Sequence, residues 1–133
     1  MTRNPDENGW LRSANVWLER MPERGDFARE FILDRPMLDR VHLSQAGTML
    51  DIGCGDGWFC RMVKGHGIKA TGLDPIGPFI QHARQQDPDG EYITGFAENL
   101  PFDDKVFDLA VFYLSLMDID DMREAIREAA RVL

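Results

Sequence analysis

The chain of 133 residues contains 15 basic and 23 acidic residues, which gives a formal net charge of −8, and 44% of its residues are hydrophobic. This composition is typical of one folded domain and excludes a disordered tail or a fibre. The sequence has no apolar run of the roughly 20 residues that a membrane-spanning helix needs and no signal-peptide core, and its acidic balance does not suit a protein that binds nucleic acid through phosphate charge.

Residues 1–47 are predicted to form an N-terminal helical cover. Apolar side chains at helical spacing predict a first helix over residues 11–21, with Ser13 as its N-cap. Pro22 and Gly25 are expected to break the helical pattern after it.

A second helix is predicted over residues 26–34, because this segment begins with an acidic residue that suits the positive end of a helix. Pro36 should end that helix, since the residue before a proline disfavours the α conformation. A third short helical piece is expected from Pro36 to about His42, with the proline tolerated in its first turn. The buried face of the second helix is predicted to contain Phe27, Phe31 and Ile32.

The role of these N-terminal helices stays open between three alternatives. They could pad one face of a sheet, close over a ligand as a lid or pocket wall, or form an interface with a partner. The aromatic side chains that could either wall an acceptor pocket or pack in the core are Trp10, Trp17, Phe27 and Phe31.

From residue 48 onward, short apolar runs alternate with helical patterns. The predicted strands cover residues 48–52, 68–73, 91–95 and 106–114, and the predicted helices cover residues 58–64, 75–86 and 118–133. This order predicts an α/β fold, a doubly wound parallel sheet with helices on both faces. The fourth strand is a nearly continuous apolar run, which suits a sheet centre. The inner side of the last helix is predicted to contain Met122, Ile126, Ala129, Ala130 and Leu133.

A glycine-rich loop, Asp51-Ile-Gly-Cys-Gly-Asp-Gly57, separates the first of these strands from the helix after it. Glycines let the backbone adopt otherwise costly dihedrals and let a ligand approach the main chain closely. The spacing excludes a P-loop, and Trp58 stands where a dinucleotide fingerprint needs its third glycine. Asp74, at the end of the second strand, would face this loop and accept hydrogen bonds from two ribose hydroxyls; the alternative is a helix N-cap.

Five motifs in this order resemble those of class I S-adenosylmethionine-dependent methyltransferases, of the methyltransferase type 11 kind. The motifs are Leu50-Asp-Ile-Gly-Cys-Gly-Asp-Gly57, Gly72-Leu-Asp74, Gly95-Phe-Ala-Glu-Asn-Leu-Pro-Phe102, Phe107-Asp-Leu-Ala-Val111 and Arg127-Glu-Ala-Ala-Arg-Val-Leu133. The resemblance covers residues 48–133 and implies a Rossmann-like sheet of strand order 3-2-1-4 that binds S-adenosylmethionine.

In that family the glycine loop packs on the methionine and ribose parts of the cofactor, the acid after the second strand holds the ribose, and an apolar side chain packs on the adenine. Phe96 stands where the family has an acid for the adenine amino group, so Glu98 could substitute or Phe96 could simply pack. The segment Tyr113-Leu-Ser115 would lie beside the sulfonium and the acceptor. The cofactor-binding residues that the resemblance implies are Asp51, Gly53, Cys54, Gly55, Gly57, Asp74, Pro75, Ile76, Ala97, Glu98 and Tyr113.

The implied reaction is a direct displacement, in which an acceptor attacks the cofactor methyl group in line and S-adenosylhomocysteine leaves. We therefore expect an enzyme that methylates a small-molecule acceptor without a metal; the alternative is a catalytically inactive cofactor-binding or interaction module. The sequence assigns no catalytic base, since His42, His66 and His82 are scattered, with His42 the most arguable candidate.

The acidic run near the C-terminus is interpreted as a helix start and not as a metal site. It consists of Asp118, Asp120, Asp121 and Glu124. Cys54 is expected to fill space within the glycine loop, and Cys60 to be buried. Because two cysteines cannot form a disulfide framework, we expect a reducing, cytoplasmic compartment.

The family usually continues after the fourth strand and its helix with a fifth strand and an antiparallel hairpin, which the 133 residues do not include. We therefore expect an incomplete sheet with an unpaired edge at the fourth strand. A truncated protein or a homodimer that pairs this edge would each explain it. Neither nucleic acid nor a membrane is an expected partner.

Overall fold

A computed structural model describes residues 8–21 and 26–133. Its centre is a four-stranded, all-parallel sheet of order β3-β2-β1-β4, which confirms the predicted fold class and strand order. The strands are β1 (Thr48–Ile52), β2 (Lys69–Asp74), β3 (Glu91–Thr94) and β4 (Leu109–Val111). The helices are α1 (Trp10–Arg20), α2 (Asp34–Ser44), α3 (Trp58–Lys64), α4 (Gly77–Gln86) and α5 (Met122–Val132).

The side chains of β1 alternate between two hydrophobic clusters, as the pleat of a strand requires. Met49 packs on one face with Val41 of α2 and Val63 of α3. Leu50 and Ile52 pack on the other face against α5. Both faces of the sheet are therefore covered, which is the usual environment of a purely parallel sheet.

The register brings two acidic residues to one edge of the sheet. Asp51 of β1 lies opposite Gly72 of β2 and Val111 of β4. Asp74 ends β2 opposite Thr94 of β3. Because the strands are parallel, their carboxyl ends lie at the same edge of the sheet. The next strands in the chain, β2 and β3, lie on one side of β1, and β4 lies on its other side, so this edge contains a switch point of strand order. Open α/β sheets bind ligands at such a position.

The first helix starts earlier than predicted. Gly9 is the N-cap of α1 with a φ of 82°, and Ser13 lies within the helix, where its hydroxyl donates to the Gly9 carbonyl at 3.0 Å. The prediction of Ser13 as N-cap is wrong, because the left-handed conformation of glycine begins the helix one turn earlier. Pro22 and Gly25 lie outside the described residues.

Helical structure continues from a π-helical segment, Arg29–Leu33, directly into α2. The prediction that Pro36 ends a helix is wrong, whereas its position in the first turn of the following helix is confirmed. The wider π turn accommodates a proline that cannot donate to the carbonyl four residues earlier, and it changes which side chains face the core. The side chains predicted to be buried are exposed, Phe27 by 71%, Phe31 by 66% and Ile32 by 59%.

The fourth strand is shorter than predicted and lies at the sheet edge, not at its centre. The reason is that Val106 and Phe107 donate their N–H groups to the Val132 carbonyl at the end of α5 instead of to a strand. The predicted inner side of α5 is also wrong apart from Ala129. Small side chains let the helix backbone approach the sheet closely, so α5 buries Ala125, Ala129 and Val132 and exposes Met122, Ile126, Ala130 and Leu133.

None of the helices within the described ranges is long and apolar enough to cross a membrane.

Candidate functional site

A cavity opens at the carboxyl edge of the sheet. Its walls come from the glycine loop after β1, the end of β2, the segment after β4, and the N-terminal helices. The cavity therefore lies at the switch point of strand order, where side chains from several elements converge.

Backbone hydrogen bonds hold the glycine loop against the end of β2. The N–H groups of Gly53 and Cys54 donate to the Leu73 carbonyl at 2.7 and 3.0 Å. Gly53 has a φ of +78°, and a Cβ there would lie 2.4 Å from the Cβ of Ser115, so a larger residue does not fit. Gly55 has a φ of +55°, but a Cβ there would meet no atom within 4 Å. Gly55 therefore leaves the main chain open to a ligand in the cavity.

Asp74 joins this loop to the segment that leads into α4. Its Oδ1 accepts from the N–H of Ile76 and its Oδ2 from the N–H of Gly55, each at 2.9 Å. Burial raises the pKa of Asp74 to about 6, against the lowering effect of these two donors. An ionised carboxylate offers about four lone-pair positions, so about two remain for a ligand. The N-cap of α4 is Ile76, so the alternative role of Asp74 as the helix cap does not describe this structure.

Asp51 is the most buried charged side chain at the cavity, with 1% of its surface exposed. Burial raises its pKa to about 7, while the Cys60 thiol, which donates to Oδ2 at 3.7 Å, lowers it. The other oxygen, Oδ1, has no hydrogen-bond partner. Leaving a buried acceptor unpaired costs about 1–3 kcal/mol. A ligand that carries a donor or a positive charge would remove this cost.

The first helix forms an aromatic wall of the cavity. Trp10 contacts Trp17 edge-on at 5.4 Å between ring centroids and Phe79 of α4 at 6.0 Å. Ala14 is fully buried in a cluster with Ile76 and Phe79, and its small side chain lets α1 approach α4. Of the three roles considered for the N-terminal helices, these contacts favour a pocket wall.

A buried carboxylate ties α2 to the sheet edge. Asp34 Oδ1 accepts from the hydroxyl of Tyr113 at 2.7 Å, and Oδ2 accepts from Nε1 of Trp58 at 3.3 Å. Burial and the neighbouring Asp34 carboxylate raise the pKa of Tyr113, so its hydroxyl stays protonated at neutral pH and donates to Asp34. Asp34 therefore fixes two side chains of the cavity wall, Trp58 and Tyr113.

Comparison with known proteins decides the family. A family model described as a methyltransferase domain matches residues 50–133, more than half of the chain. The chain belongs to the methyltransferase family. Similarity to individual members of this family gives further detail.

Two curated methyltransferases illustrate the relationship. A malonyl-[acyl-carrier protein] O-methyltransferase of Salmonella typhimurium is 36% identical over 89 residues, which are 67% of this chain and 36% of that protein. A demethylmenaquinone methyltransferase of Thermotoga maritima is 36% identical over 87 residues, which are 64% of this chain and 38% of that protein. This methyltransferase chain therefore spans well under half the length of these curated relatives.

A solved structure shares the fold of this chain. It is described as a SAM-dependent methyltransferase, possibly a histamine N-methyltransferase, of Thermotoga maritima. It aligns with a TM-score of 0.69 and 26% identity, over 93% of this chain and 55% of that chain. S-adenosylmethionine is accordingly the cofactor of this family and fold.

Most residues that the sequence predicts to bind this cofactor are brought together at the cavity. Those that line it are Asp51, Gly53, Cys54, Gly55, Asp74, Pro75, Ile76 and Tyr113. They come from three segments, at the end of β1, at the end of β2 and after β4, so the fold brings together residues that are distant in sequence.

Three predicted residues lie outside the cavity lining. Gly57 precedes α3 with a φ of +79°, where a Cβ would lie 2.6 Å from the Tyr92 ring. Ala97 is buried in the cluster beneath α5, and Glu98 Oε1 accepts from the Asp121 N–H at 3.2 Å. These contacts give each residue a structural role, and their contribution to cofactor binding stays a prediction.

Arg29 and Asp34 are not among the residues that the sequence predicts for this site. Arg29 lines the cavity, and Asp34 holds Tyr113 in its wall. One signal was available, because Asp34 has the helical spacing of Met37, Leu38 and Val41, which pack in or against the core. An acid on an apolar helix face needs buried partners, and here it has them.

The histidines, the two cysteines and the acidic run were also considered as chemical groups in the sequence. His42 and His66, predicted to be scattered, meet with ring centroids 4.9 Å apart. Cys54 and Cys60 are free and buried, and burial raises the pKa of both thiols well above the usual value, so neither suits nucleophilic chemistry. Asp121 is the N-cap of α5, which confirms that the acidic run contains a helix start.

The chemistry of the lining residues fits S-adenosylmethionine. Asp74 retains acceptor positions for hydroxyl groups, Ile76 offers apolar surface, and the unpaired oxygen of Asp51 lacks a donor. Two buried carboxylates also favour a ligand that carries positive charge.

Proposed function

We propose that this chain is the cofactor-binding part of an S-adenosylmethionine-dependent methyltransferase that acts on a small-molecule acceptor. The observation that carries the proposal is the pair of buried carboxylates, Asp51 and Asp74, near the ends of neighbouring strands in one cavity beside the glycine loop. Burying two acids in one site is unfavourable without a ligand that bonds to them.

Each part of the site has a binding role in this proposal. Asp74 accepts hydrogen bonds from the ribose hydroxyls, and Gly55 gives the ligand access to the main chain. Ile76 and Phe79 pack against the adenine, and Asp51 bonds to the methionine end. Three further predicted residues shape the cavity: the N–H groups of Gly53 and Cys54 donate to the Leu73 carbonyl, and Pro75 lines the wall.

Bound S-adenosylmethionine supplies a methyl group on a positively charged sulfonium, so the residues of this chain mainly orient the reactants and exclude water. Trp10 and Trp17 shield one side of the cavity. On the other side, Leu114 has a φ of +57°, which is strained for a bulky residue. Hydrogen bonds of its neighbours Tyr113 and Ser115 hold it there. We assign this segment to the acceptor side and assign no catalytic base.

The identity of the acceptor is not inherited from the relatives. The two curated relatives are named for malonyl-[acyl-carrier protein] and for demethylmenaquinone, which are chemically different. Acceptor choice depends on site residues and not on the shared fold. We therefore propose the class, a small molecule, and leave the acceptor atom open.

Calorimetric titration tests cofactor binding. We expect the protein to bind S-adenosylmethionine and S-adenosylhomocysteine and to give no heat with NAD, because Trp58 occupies the place of a dinucleotide glycine. Absence of heat with both sulfur compounds would contradict the proposal.

Transfer of a tritiated methyl group from S-adenosylmethionine to a panel of small acceptors tests catalysis. Transfer to at least one acceptor supports the enzyme. Tight cofactor binding without transfer to any acceptor would favour the alternative, a catalytically inactive cofactor-binding or interaction module.

We propose three further properties: the role of the N-terminal residues, the oligomeric state and the cellular compartment. Residues 1–47 act as a cover over the cofactor domain of residues 48–133, supported by the wall that α1 contributes. A homodimer forms through the edge of β4 that pairs with no other described strand. The protein is cytoplasmic, supported by two buried free thiols, which suit a reducing compartment.

A further inference from the structure

Two buried side-chain polar atoms in the described part of the chain have no hydrogen-bond partner, and both belong to residues of the same cavity. They are Nε of Arg29 and Oδ1 of Asp51. Buried polar groups in folded proteins are nearly always paired, so each orphan needs an explanation. Their common location indicates that one ligand pairs with both.

Arg29 is held in place by aromatic rings. Its guanidinium carbon lies 5.6 Å from the centroid of the Trp17 ring and 5.9 Å from that of the Tyr113 ring, which are cation–π distances. The hydroxyl of Tyr113 is fixed by Asp34, and Trp17 is fixed by its contact with Trp10. The two rings therefore position the guanidinium at the cavity without neutralising its charge.

Asp51 provides the opposite charge on the glycine-loop side of the same cavity. Arg29 is close enough to lower the pKa of Asp51. Nε of Arg29 and Oδ1 of Asp51 nevertheless form no hydrogen bond with each other. The cavity thus presents a fixed cation and a fixed anion, each with an unpaired buried atom. A zwitterion with an ammonium and a carboxylate is the chemical class that pairs with both.

We infer that Arg29 binds the carboxylate, and Asp51 the ammonium, of the amino-acid part of S-adenosylmethionine. This inference rests on the proposed function and adds to it a residue of the N-terminal helices. It makes Arg29 a ligand-binding residue and gives the cover a direct part in holding the cofactor. Arg is suited to this task because its planar donors match a carboxylate.

Calorimetry with two ligands tests the inference. S-adenosylhomocysteine carries the amino-acid part, and 5′-methylthioadenosine lacks it. The variant Arg29→Met keeps an unbranched apolar side chain between the two rings but removes the donors. We expect Arg29→Met and Asp51→Asn to lower the affinity for S-adenosylhomocysteine at least tenfold. The affinity for 5′-methylthioadenosine should stay within twofold of that of the unmodified protein.

Asp74→Ala is the matched control, because its proposed partner, the ribose, is present in both ligands. Asp74→Ala should lower the affinities for both ligands by a similar factor. Thermal denaturation of each variant confirms that it is folded at the titration temperature. Arg29→Lys should restore part of the affinity for S-adenosylhomocysteine by returning the charge.

Two outcomes overturn the inference alone. Arg29→Met leaves both affinities unchanged, or it lowers both affinities by the same factor, which would make Arg29 a structural residue. If the unmodified protein binds neither ligand, the proposed function fails and the inference fails with it. The two failures are therefore distinguishable by the behaviour of the unmodified protein.

Discussion

At the scale of single residues, burial of the two acids in the cavity costs folding free energy when they are ionised, and a bound ligand would offset that cost. Burial raises the pKa of Asp51 to about 7 and that of Asp74 to about 6. Strong shifts of two neighbouring groups in one cleft are typical of functional sites. In the ligand-free protein, burial therefore favours the protonated form of both carboxyls, and a ligand that donates hydrogen bonds or carries positive charge favours the ionised form.

These pKa values predict opposite effects of pH on stability and binding. Between about pH 4 and pH 7 the folded state retains protons that the unfolded state releases, so the free energy of unfolding should fall with rising pH, by up to about 1.4 kcal/mol per pH unit for each carboxyl. Affinity for S-adenosylhomocysteine should rise over the same range, because the ionised carboxylates accept the ligand's donors. Urea denaturation and calorimetry at pH 5 and pH 7.5 measure both trends.

The variant Asp51→Asn provides the check on this assignment. It should flatten part of the stability slope between pH 4 and pH 7. Carboxyls whose pKa is lowered by their partners act in the opposite direction and at lower pH, namely Asp87, Glu91, Asp108 and Glu128. An unchanged slope in Asp51→Asn would contradict the role given to Asp51.

A second prediction at this scale separates backbone strain from ligand contact. Gly55 and Gly67 both have a positive φ, 55° and 84°, and neither has an atom within 4 Å of an added Cβ. Gly55→Ala and Gly67→Ala should therefore both lose about 1–2 kcal/mol of stability. Only Gly55→Ala should lower the affinity for S-adenosylhomocysteine, by tenfold or more, since Gly55 lines the cavity and Gly67 does not. Equal ligand affinity in both variants would contradict the placement of the ligand.

At the scale of elements, one buried carboxylate connects three parts of the fold. Asp34 begins α2, Trp58 begins α3, and Tyr113 follows β4. Their hydrogen bonds place the end of the N-terminal helices against the cavity. The N-terminal helices are therefore attached by polar contacts as well as by the packing of α1 on α4.

Removing this carboxylate should destabilise the protein. Asp34→Ala leaves the Tyr113 hydroxyl and the Trp58 indole without their partner, so we expect a loss of about 1–3 kcal/mol in urea denaturation. Asp39→Ala on the same helix is the matched control, because its ion pair with Arg35 is exposed, and should change stability by less than about 0.5 kcal/mol. Combining Asp34→Ala with Tyr113→Phe should give less than the sum of the single losses. Strict additivity would show that the two side chains do not interact.

Element boundaries show which sequence signals were sufficient. The predicted bounds of β1 and α3 match the structure, because apolar runs and flanking glycines define them locally. The bounds of β4 do not match, since residues 106 and 107 bond to the end of α5 instead of to a strand. The apolar composition of that segment is the same in either arrangement, so composition alone did not distinguish them.

At the scale of the whole molecule, the sheet ends at β4, whose second neighbour is absent from the described strands. Several large apolar side chains in the same C-terminal third are also exposed, Met117 by 70% and Ile126 by 49%. An edge strand with unpaired N–H and C=O groups pairs readily with another chain.

The homodimer proposal predicts the mass of the protein in solution. Light scattering over a range of concentrations should give twice the mass of one chain at high concentration, falling toward one chain on dilution. A single-chain mass at every concentration would contradict pairing through β4 and leave this edge solvated.

The sequence by itself determined the parts of this protein that depend on short-range order. The glycine loop, Asp74 and each single strand or helix are encoded in short stretches of sequence, and the order of these stretches was enough to predict the family and its cofactor. Local spacing and turn chemistry act over such distances, so a sequence pattern is sufficient to predict them.

Only the tertiary structure decided which distant side chains meet. The hydrogen bond from Tyr113 to Asp34 joins residues 79 positions apart, and the rings that hold Arg29 come from α1 and from the segment after β4. The buried face of α5 and the edge position of β4 likewise depend on which surfaces pack together. No local pattern carries that information, because the energies that select these contacts arise only once the chain has folded.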